Sequence, residues 1–384
     1  MSPTAPGVVV LALLAFVALG LPDAALGVAW PGLRDAFARG QSGLGLILAA
    51  SSLGFLAASN AAARLLDRLG PGLLLAGATL LLAASLVGQA TAASFALVLA
   101  AAGLWGLGAG AIDAGVNGYA ARRFSRRQMN WLHAGYGLGT AVAPFVMTAG
   151  LALGAGWRGG YAAIALLLAL LAALFWQRRA VWPPLASGAS EAPGGAARLG
   201  PAAARHLVAF FLYTGVEVTA GQWAFAILNE ARGLGAEAAG VWTGLYWTSL
   251  FGGRLAIGLV ADRLGTARLI AGGVVGMAAG AVIFATLPVA GGAPGLVVLG
   301  LAAAPVFPML MSRTAERFAI DVARRLFGMQ VSAAMLGAVA LPWSAGALAD
   351  ATDLAFVPFF IAAATAGLAL VVGLILRDRA PQGT

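Results

Sequence analysis

Apolar runs of about twenty residues follow one another almost from end to end of this chain, and no water-soluble fold can bury them all. They fall at about 8–30, 43–65, 72–90, 95–120, 131–153 and 159–177, and again at about 206–229, 238–260, 268–288, 295–316, 326–348 and 354–376. Each is long enough to cross the hydrocarbon core as a helix of ~20 residues. Hydrophobic residues make up 61% of the 384 and charged residues 10%, against about 25% charged in a soluble domain. Surface-to-volume scaling would leave too much apolar surface in water. The sequence therefore predicts an all-α integral membrane protein with twelve transmembrane helices. One stretch, 178–205, breaks the pattern: Pro183, Pro184, Glu191, Pro193, Gly194, Gly195, Arg198 and Pro201 make it polar and turn-rich. It divides the chain into an N-terminal bundle (1–178), a central loop (179–205) and a C-terminal bundle (206–384).

The charges set the orientation. Every basic residue is Arg, 23 in all. With the N-terminus inside, nineteen fall on the cytoplasmic side, among them Arg64, Arg68, Arg122, Arg123, Arg126, Arg127, Arg254, Arg263 and Arg313. Only Arg34, Arg39, Arg158 and Arg232 fall outside. This asymmetry is the positive-inside pattern, and it accounts for the net charge of +9 without a nucleic-acid partner. Both termini are expected in the cytoplasm. The first residues lack a basic n-region, so the first run reads as a retained span, not a secretory signal.

The same composition excludes several kinds of chemistry. Without Lys there is no Walker A loop and no Schiff base on a protein amine. Without Cys there is no disulfide and no thiolate metal site. His133 and His206 are far apart in sequence, so neither a metal nor another cofactor is indicated. No cluster suggests an intramembrane enzyme.

The two halves echo one another. Ala63-Arg-Leu-Leu-Asp67-Arg68-Leu-Gly70 recurs as Gly258-Leu-Val-Ala-Asp262-Arg263-Leu-Gly265, about half a chain later. Near the same offset Glu217 answers Asp23, and Pro342 answers Pro144. A duplicated six-helix unit follows.

A D-R-x-G element after the second and eighth spans of a 6+6 chain resembles the major facilitator superfamily. Within it, GLPDAALGVAWP (20–31), GLGAGAIDAGVNGYAARRF (106–124), MNWLHAGYGLG (129–139), FFLYTGVEVTAGQWAFAIL (210–228) and LGLAAAPVFPMLMS (299–312) resemble the fucose–glucose–galactose:proton symporter, or fucose permease-like, branch. The resemblance implies two pseudo-symmetric six-helix bundles around a central cavity and alternating access by rocking of the halves. It also implies a functional monomer, with a sugar and protons as the transported species, while the absence of Lys and the Ala/Gly/Leu bias point to a GC-rich bacterial genome and so to a bacterial inner membrane. That branch has an acidic residue in the first span and another in the fourth, in contexts matched by Asp23 and Asp113. Asp67, Arg68, Asp262 and Arg263 would be residues of the conformational gate, pairing with neighbouring helix ends. The alternative is a proton-coupled exporter of drugs or lipophilic metabolites. Such antiporters carry an Arg within the fourth span and G-x-x-x-G-P in the fifth. Here no Arg precedes Arg122 in the fourth span, and the fifth reads GLGTAVAP.

A carboxylate at the middle of a membrane helix costs about 2.5–3.5 kcal/mol on insertion scales, so it normally faces a cavity or a partner. Asp113 lies among Gly106, Gly108, Gly110, Gly115 and Gly118, where small residues permit close packing or leave room for a ligand. Asn117, four residues on, shares its face. Glu217 is near the centre of the seventh span, and its structural alternative is a pairing with Arg254. Asp23, Asp113 and Glu217 are the candidates for proton coupling, since burial disfavours the charged form of a carboxyl group. Substrate candidates are Asn117, Tyr136, Thr140, Gln222, Trp223, Tyr246, Trp247 and Gln330, the aromatic ones as stacking surfaces for a sugar ring or as plain packing. His133 reads as a structural or loop contact. Pro305 and Pro308 are expected to break the tenth helix, and Pro144 and Pro342 to interrupt the fifth and eleventh, marking a midplane site.

Overall fold

The computed structural model describes residues 6–183 and 200–378, apart from the side chains of residues 63, 126, 127, 130 and 258–262. Most of the central loop, with Glu191 and Arg198, lies outside the described residues, as does Arg379. Among the described residues all regular structure is helical: α1 (Pro6–Ala36), α2 (Gly43–Thr91), α3 (Phe95–Arg123), α4 (Arg126–Ala152), α5 (Gly156–Gln177), α6 (Pro201–Ala226), α7 (Ala236–Leu264), α8 (Thr266–Thr286), α9 (Val289–Ala303), α10 (Val306–Arg317), α11 (Ile320–Ala351) and α12 (Val357–Arg377). A π-helical turn, Ile227–Ala231, extends α6. The predicted all-α class holds, with two differences in how spans map onto helices. The second and third spans are one long element, α2, bent at Gly70. The tenth is split into α9 and α10.

Ten stretches among the described residues are long and apolar enough to cross a membrane. α6 and α7 are not among them, although they have 26 and 29 residues. These two helices carry Glu217, Gln222 and Arg254, and polar groups on membrane helices concentrate where function needs them.

The helices form two compact units, Met1–Gly188 with Gly235–Thr248 and Ala189–Leu234 with Ser249–Thr384. α7 runs from one into the other. In the first, α1 packs on α4 and α5, and α2 on α3 and α5. In the second, α6 packs on α11 and α12, and α8 on α9 and α12. The first, third, fourth, fifth and sixth spans thus pack on one another as the seventh, ninth, tenth, eleventh and twelfth do. The two copies of the repeated element also turn alike. Gly70 has φ 72° and ψ 163°, and Gly265 has φ 77° and ψ 152°, a region essentially closed to residues with a side chain. Beyond Gly265 the Thr266 hydroxyl donates to Glu316 Oε1 at 2.7 Å, tying the start of α8 to the end of α10.

Small residues set the helix crossings, since apolar surface gives membrane helices no drive to associate and close backbone approach supplies it. A Cβ on Gly20 of α1 would strike the Tyr136 carbonyl of α4 and lie 2.9 Å from Thr140 N. In the second unit a Cβ on Gly337 of α11 would lie 2.8 Å from the Phe211 carbonyl carbon of α6. The glycines before Asp113 do the same work: Cβ atoms on Gly106 and Gly110 would collide with the α2 backbone at Ser51 and Phe55.

The prolines behave unequally. At Pro305 the tenth span does break, as expected. Pro144 and Pro342, by contrast, lie inside uninterrupted α4 and α11, so the expected interruptions there are absent. One proline removes a single intrahelical bond, a loss that packed membrane helices tolerate. Pro305 and Pro308 together remove two within one turn.

Candidate functional site

The three acidic candidates fall in two clusters, one in each unit. In the first, Pro22 removes a backbone donor from α1, and Asp23 follows it. The close α1–α4 crossing at Gly20 brings the Tyr136 hydroxyl to 2.7 Å from Asp23 Oδ2, to which it donates. On α3, Asn117 Nδ2 donates to Asp113 Oδ1 at 3.1 Å, the one-turn pairing expected from their spacing. Asp113 lies close enough to Asp23 to act on it electrostatically. Asp23, Asp113, Asn117 and Tyr136 are all partly exposed. Asn117 Oδ1 is buried without a hydrogen-bond partner, a condition that costs about 1–3 kcal/mol and that a ligand donor would relieve. Thr140 is buried at the same crossing and bonds back to the Gly137 carbonyl.

In the second unit Glu217 of α6 is 8% exposed. Arg254 of α7 donates to it through Nη2, at 3.1 Å to Oε2 and 3.3 Å to Oε1. Tyr213, one turn before Glu217, is fully buried and hydrogen-bonds Glu217 Oε2. The structural pairing weighed for Glu217 is thus present, and a tyrosine joins it. That tyrosine was not singled out from the sequence, although its position four residues before a membrane glutamate is the signal for it.

The remaining candidates sit as follows. Trp223 is fully buried, and its indole N–H donates to the Pro342 carbonyl at 3.1 Å, a packing position. Gln222 is buried on the same helix. Tyr246 and Trp247 are buried and meet edge to face at 5.2 Å, and Trp247 Nε1 has no hydrogen-bond partner. Gln330 belongs to a third group, in which the Thr314 hydroxyl accepts from Gln330 Nε2 at 2.7 Å and lies 2.9 Å from His206 Nδ1. All three side chains are essentially inaccessible. Thr314 also donates to the Leu310 carbonyl, so its one proton is used and His206 Nδ1 must carry the hydrogen of their bond. Neither His206 nor Thr314 was a sequence candidate.

His133 is exposed and stands edge to face with Phe16 at 5.4 Å. Asp67, Arg68 and Arg263 are exposed around the two glycine turns, while the Asp262 side chain is outside those described. Among the described residues no three His, Asp or Glu side chains group as metal ligands would.

The profile of the Major Facilitator Superfamily matches residues 12–320. No curated protein sequence matches the chain. Among solved structures, a D-xylose–proton symporter is similar with a TM-score of 0.78 at 14% identity, over 95% of this chain and 96% of that one. The nucleoside transporter NupG is similar with a TM-score of 0.75 at 12% identity, over 95% of this chain and 98% of that one. A bacterial homolog of the human lysosomal transporter Spinster is similar with a TM-score of 0.75 at 14% identity, over 100% of both. At such identities the likeness is one of fold.

Proposed function

The chain belongs to the major facilitator superfamily, and from that premise we propose that this multi-pass transporter moves a small polar solute, a sugar, together with protons by symport. The observation that carries the reading is the pair of carboxyl groups in the first unit. Asp23, held by Tyr136, and Asp113, held by Asn117, stand within electrostatic range of one another in an apolar bundle. Two carboxyl groups so placed are a seat for a proton. The unpartnered Asn117 Oδ1 and Trp247 Nε1 offer one acceptor and one donor, the complement that sugar hydroxyls require. The resemblance of the Asp23 and Asp113 segments to the fucose permease-like branch points the same way, as does the likeness to a xylose–proton symporter.

In this account a proton and the solute load together from outside, the two six-helix halves rock about the site, and release inside resets the carrier. One proton crossing 100 mV releases about 2.3 kcal/mol, and one pH unit adds about 1.36 kcal/mol. Together they sustain roughly a 500-fold gradient of a neutral solute, at about 1.4 kcal/mol per tenfold. Asp67, Arg68, Asp262 and Arg263 serve as gate residues beside the glycine turns. The protein works as a monomer in a bacterial inner membrane with both termini in the cytoplasm.

The test is reconstitution in liposomes with external pH followed as hexoses, deoxyhexoses and disaccharides are added, with no imposed gradient. Alkalinisation with one sugar, lost in Asp113→Asn, is the expected result. Silence across the panel from a folded sample, or efflux of amphipathic compounds instead, overturns the proposal.

A further inference from the structure

Glu217 has partners that the first-unit carboxyl pair does not account for. The single hydroxyl proton of Tyr213 faces two acceptors, Glu217 Oε2 and, at 2.9 Å, the carbonyl of Ala303. Ala303 is the last residue of α9, where carbonyls lack intrahelical partners, and the break at Pro305 follows it. On the other side of Glu217 stands Arg254.

Counting protons distinguishes two states of this cluster. A phenol donates once, and a carboxylate and a carbonyl only accept. With Glu217 ionised and bound to Arg254, Tyr213 serves either the carboxylate or Ala303, not both. With Glu217 protonated, its O–H donates to Tyr213 Oη and Tyr213 donates to Ala303, so both are served.

We propose that Glu217, Tyr213 and the Ala303 carbonyl form a proton-operated relay in the second unit. Its action is to move the Tyr213 hydrogen bond between the Glu217 carboxylate on α6 and the break in the tenth span. One proton enters from water at Glu217, and no covalent bond other than O–H changes. The cluster gains one positive charge, and Arg254 loses the Glu217 counter-charge. Tyr213 and Arg254 are positioning residues in this scheme. The titratable groups bonded to Glu217 include Tyr213 from α6 and Arg254 from α7. α9 presents the Ala303 carbonyl, and α10 presents the Phe307 ring, 6.0 Å from that of Tyr213. α11 meets this stretch of α6 through Gly337 and Leu341, and α12 through Gly367 against Leu212. The relay rests on the proton-coupled reading above and adds to it a second proton-bearing site with a mechanical output.

The experiment is pH-difference infrared spectroscopy on the purified full chain in lipid, with ring-labelled tyrosine and no solute added. It is run in the unaltered protein and in Asp23→Asn, which silences the Tyr136 pair. A protonated-carboxyl band that grows on acidification and moves together with a tyrosine C–O band is expected in both. Glu217→Gln should abolish that band, and Tyr213→Phe should shift it to higher frequency because the acid has lost its acceptor. A spectrum unchanged by Glu217→Gln, or a carboxyl band in Asp23→Asn with no tyrosine signal accompanying it, overturns the relay. The labelled Asp23→Asn spectrum decides the matter even if Glu217→Gln does not fold. Sugar-driven proton uptake without these bands refutes the relay alone, and the bands without any flux refute the transport reading alone.

Discussion

Replacing Gly20 by Ala tests whether one glycine contact sets the geometry of the first carboxyl site. The new methyl group would meet backbone on α4, the Tyr136 carbonyl and, at 2.9 Å, Thr140 N. Backbone cannot rotate aside, so restoring ordinary contact near 3.4 Å requires α1 and α4 to part by at least about half an ångström. The Tyr136–Asp23 bond, now 2.7 Å, then stretches to roughly 3.2 Å, beyond the range of about 2.5–3.0 Å for an O–H···O bond. Overpacking of this kind costs about 1–3 kcal/mol, or roughly 5- to 150-fold in the unfolding equilibrium at about 1.4 kcal/mol per tenfold. Equilibrium unfolding in detergent micelles titrated with dodecyl sulfate measures it, with Gly77→Ala as the reference. A Cβ on Gly77 meets nothing within 4 Å, so its change should stay within about 0.5 kcal/mol. If Gly20→Ala is as stable as Gly77→Ala, the close crossing does not hold the site and the reasoning fails.

Further outcomes follow from the same structure. Gly70→Ala and Gly265→Ala should each destabilise by about 1–3 kcal/mol, since both glycines occupy backbone conformations that a Cβ disfavours; indifference in the same titration at both would contradict the shared turn geometry. Trp223→Phe removes the indole bond to the Pro342 carbonyl, which keeps its place in the uninterrupted α11 ladder, so it should cost about 0.5–1.5 kcal/mol while leaving the KM for transport near its original value; a large rise in KM at unchanged stability would instead make Trp223 a substrate residue. Thr314→Val strands His206 Nδ1 and Gln330 Nε2, and should lower stability by about 2 kcal/mol or more, with Thr314→Ser restoring most of it. Equal stability of the two variants would show that the hydroxyl bonds contribute little.

Much of this architecture is written in the sequence because membrane crossing imposes a length and an apolarity on every span. The duplication is legible for a similar reason: a turn at positive φ needs glycine, so Gly70 and Gly265 keep their place behind Asp-Arg-Leu in both halves. The acidic candidates stand out because a carboxylate in an apolar run is costly. Their partners do not stand out. Tyr136 lies more than a hundred residues from Asp23, and nothing in the sequence reports that Gly20 brings them together. Arg254 is the exception, since the sequence already offers it as a pairing for Glu217, and α7 places it there. Tyr213 is an aromatic residue in an aromatic stretch, and only the proline break beyond Ala303 reveals the second acceptor within its reach. Pro144 and Pro342 mislead in the opposite direction, because the carbonyl that one proline leaves free can be accommodated in a packed bundle.

The central claim is that the Asp23–Asp113 pair couples solute movement to protons. The most direct measurement compares two modes of transport in the same liposomes, proton-driven accumulation and solute exchange at equal pH, for the unaltered protein and Asp113→Asn. The account predicts that accumulation disappears in the variant while exchange persists, since exchange needs the site and the rocking motion but no release of the proton. Accumulation that survives in both Asp113→Asn and Asp23→Asn would contradict it.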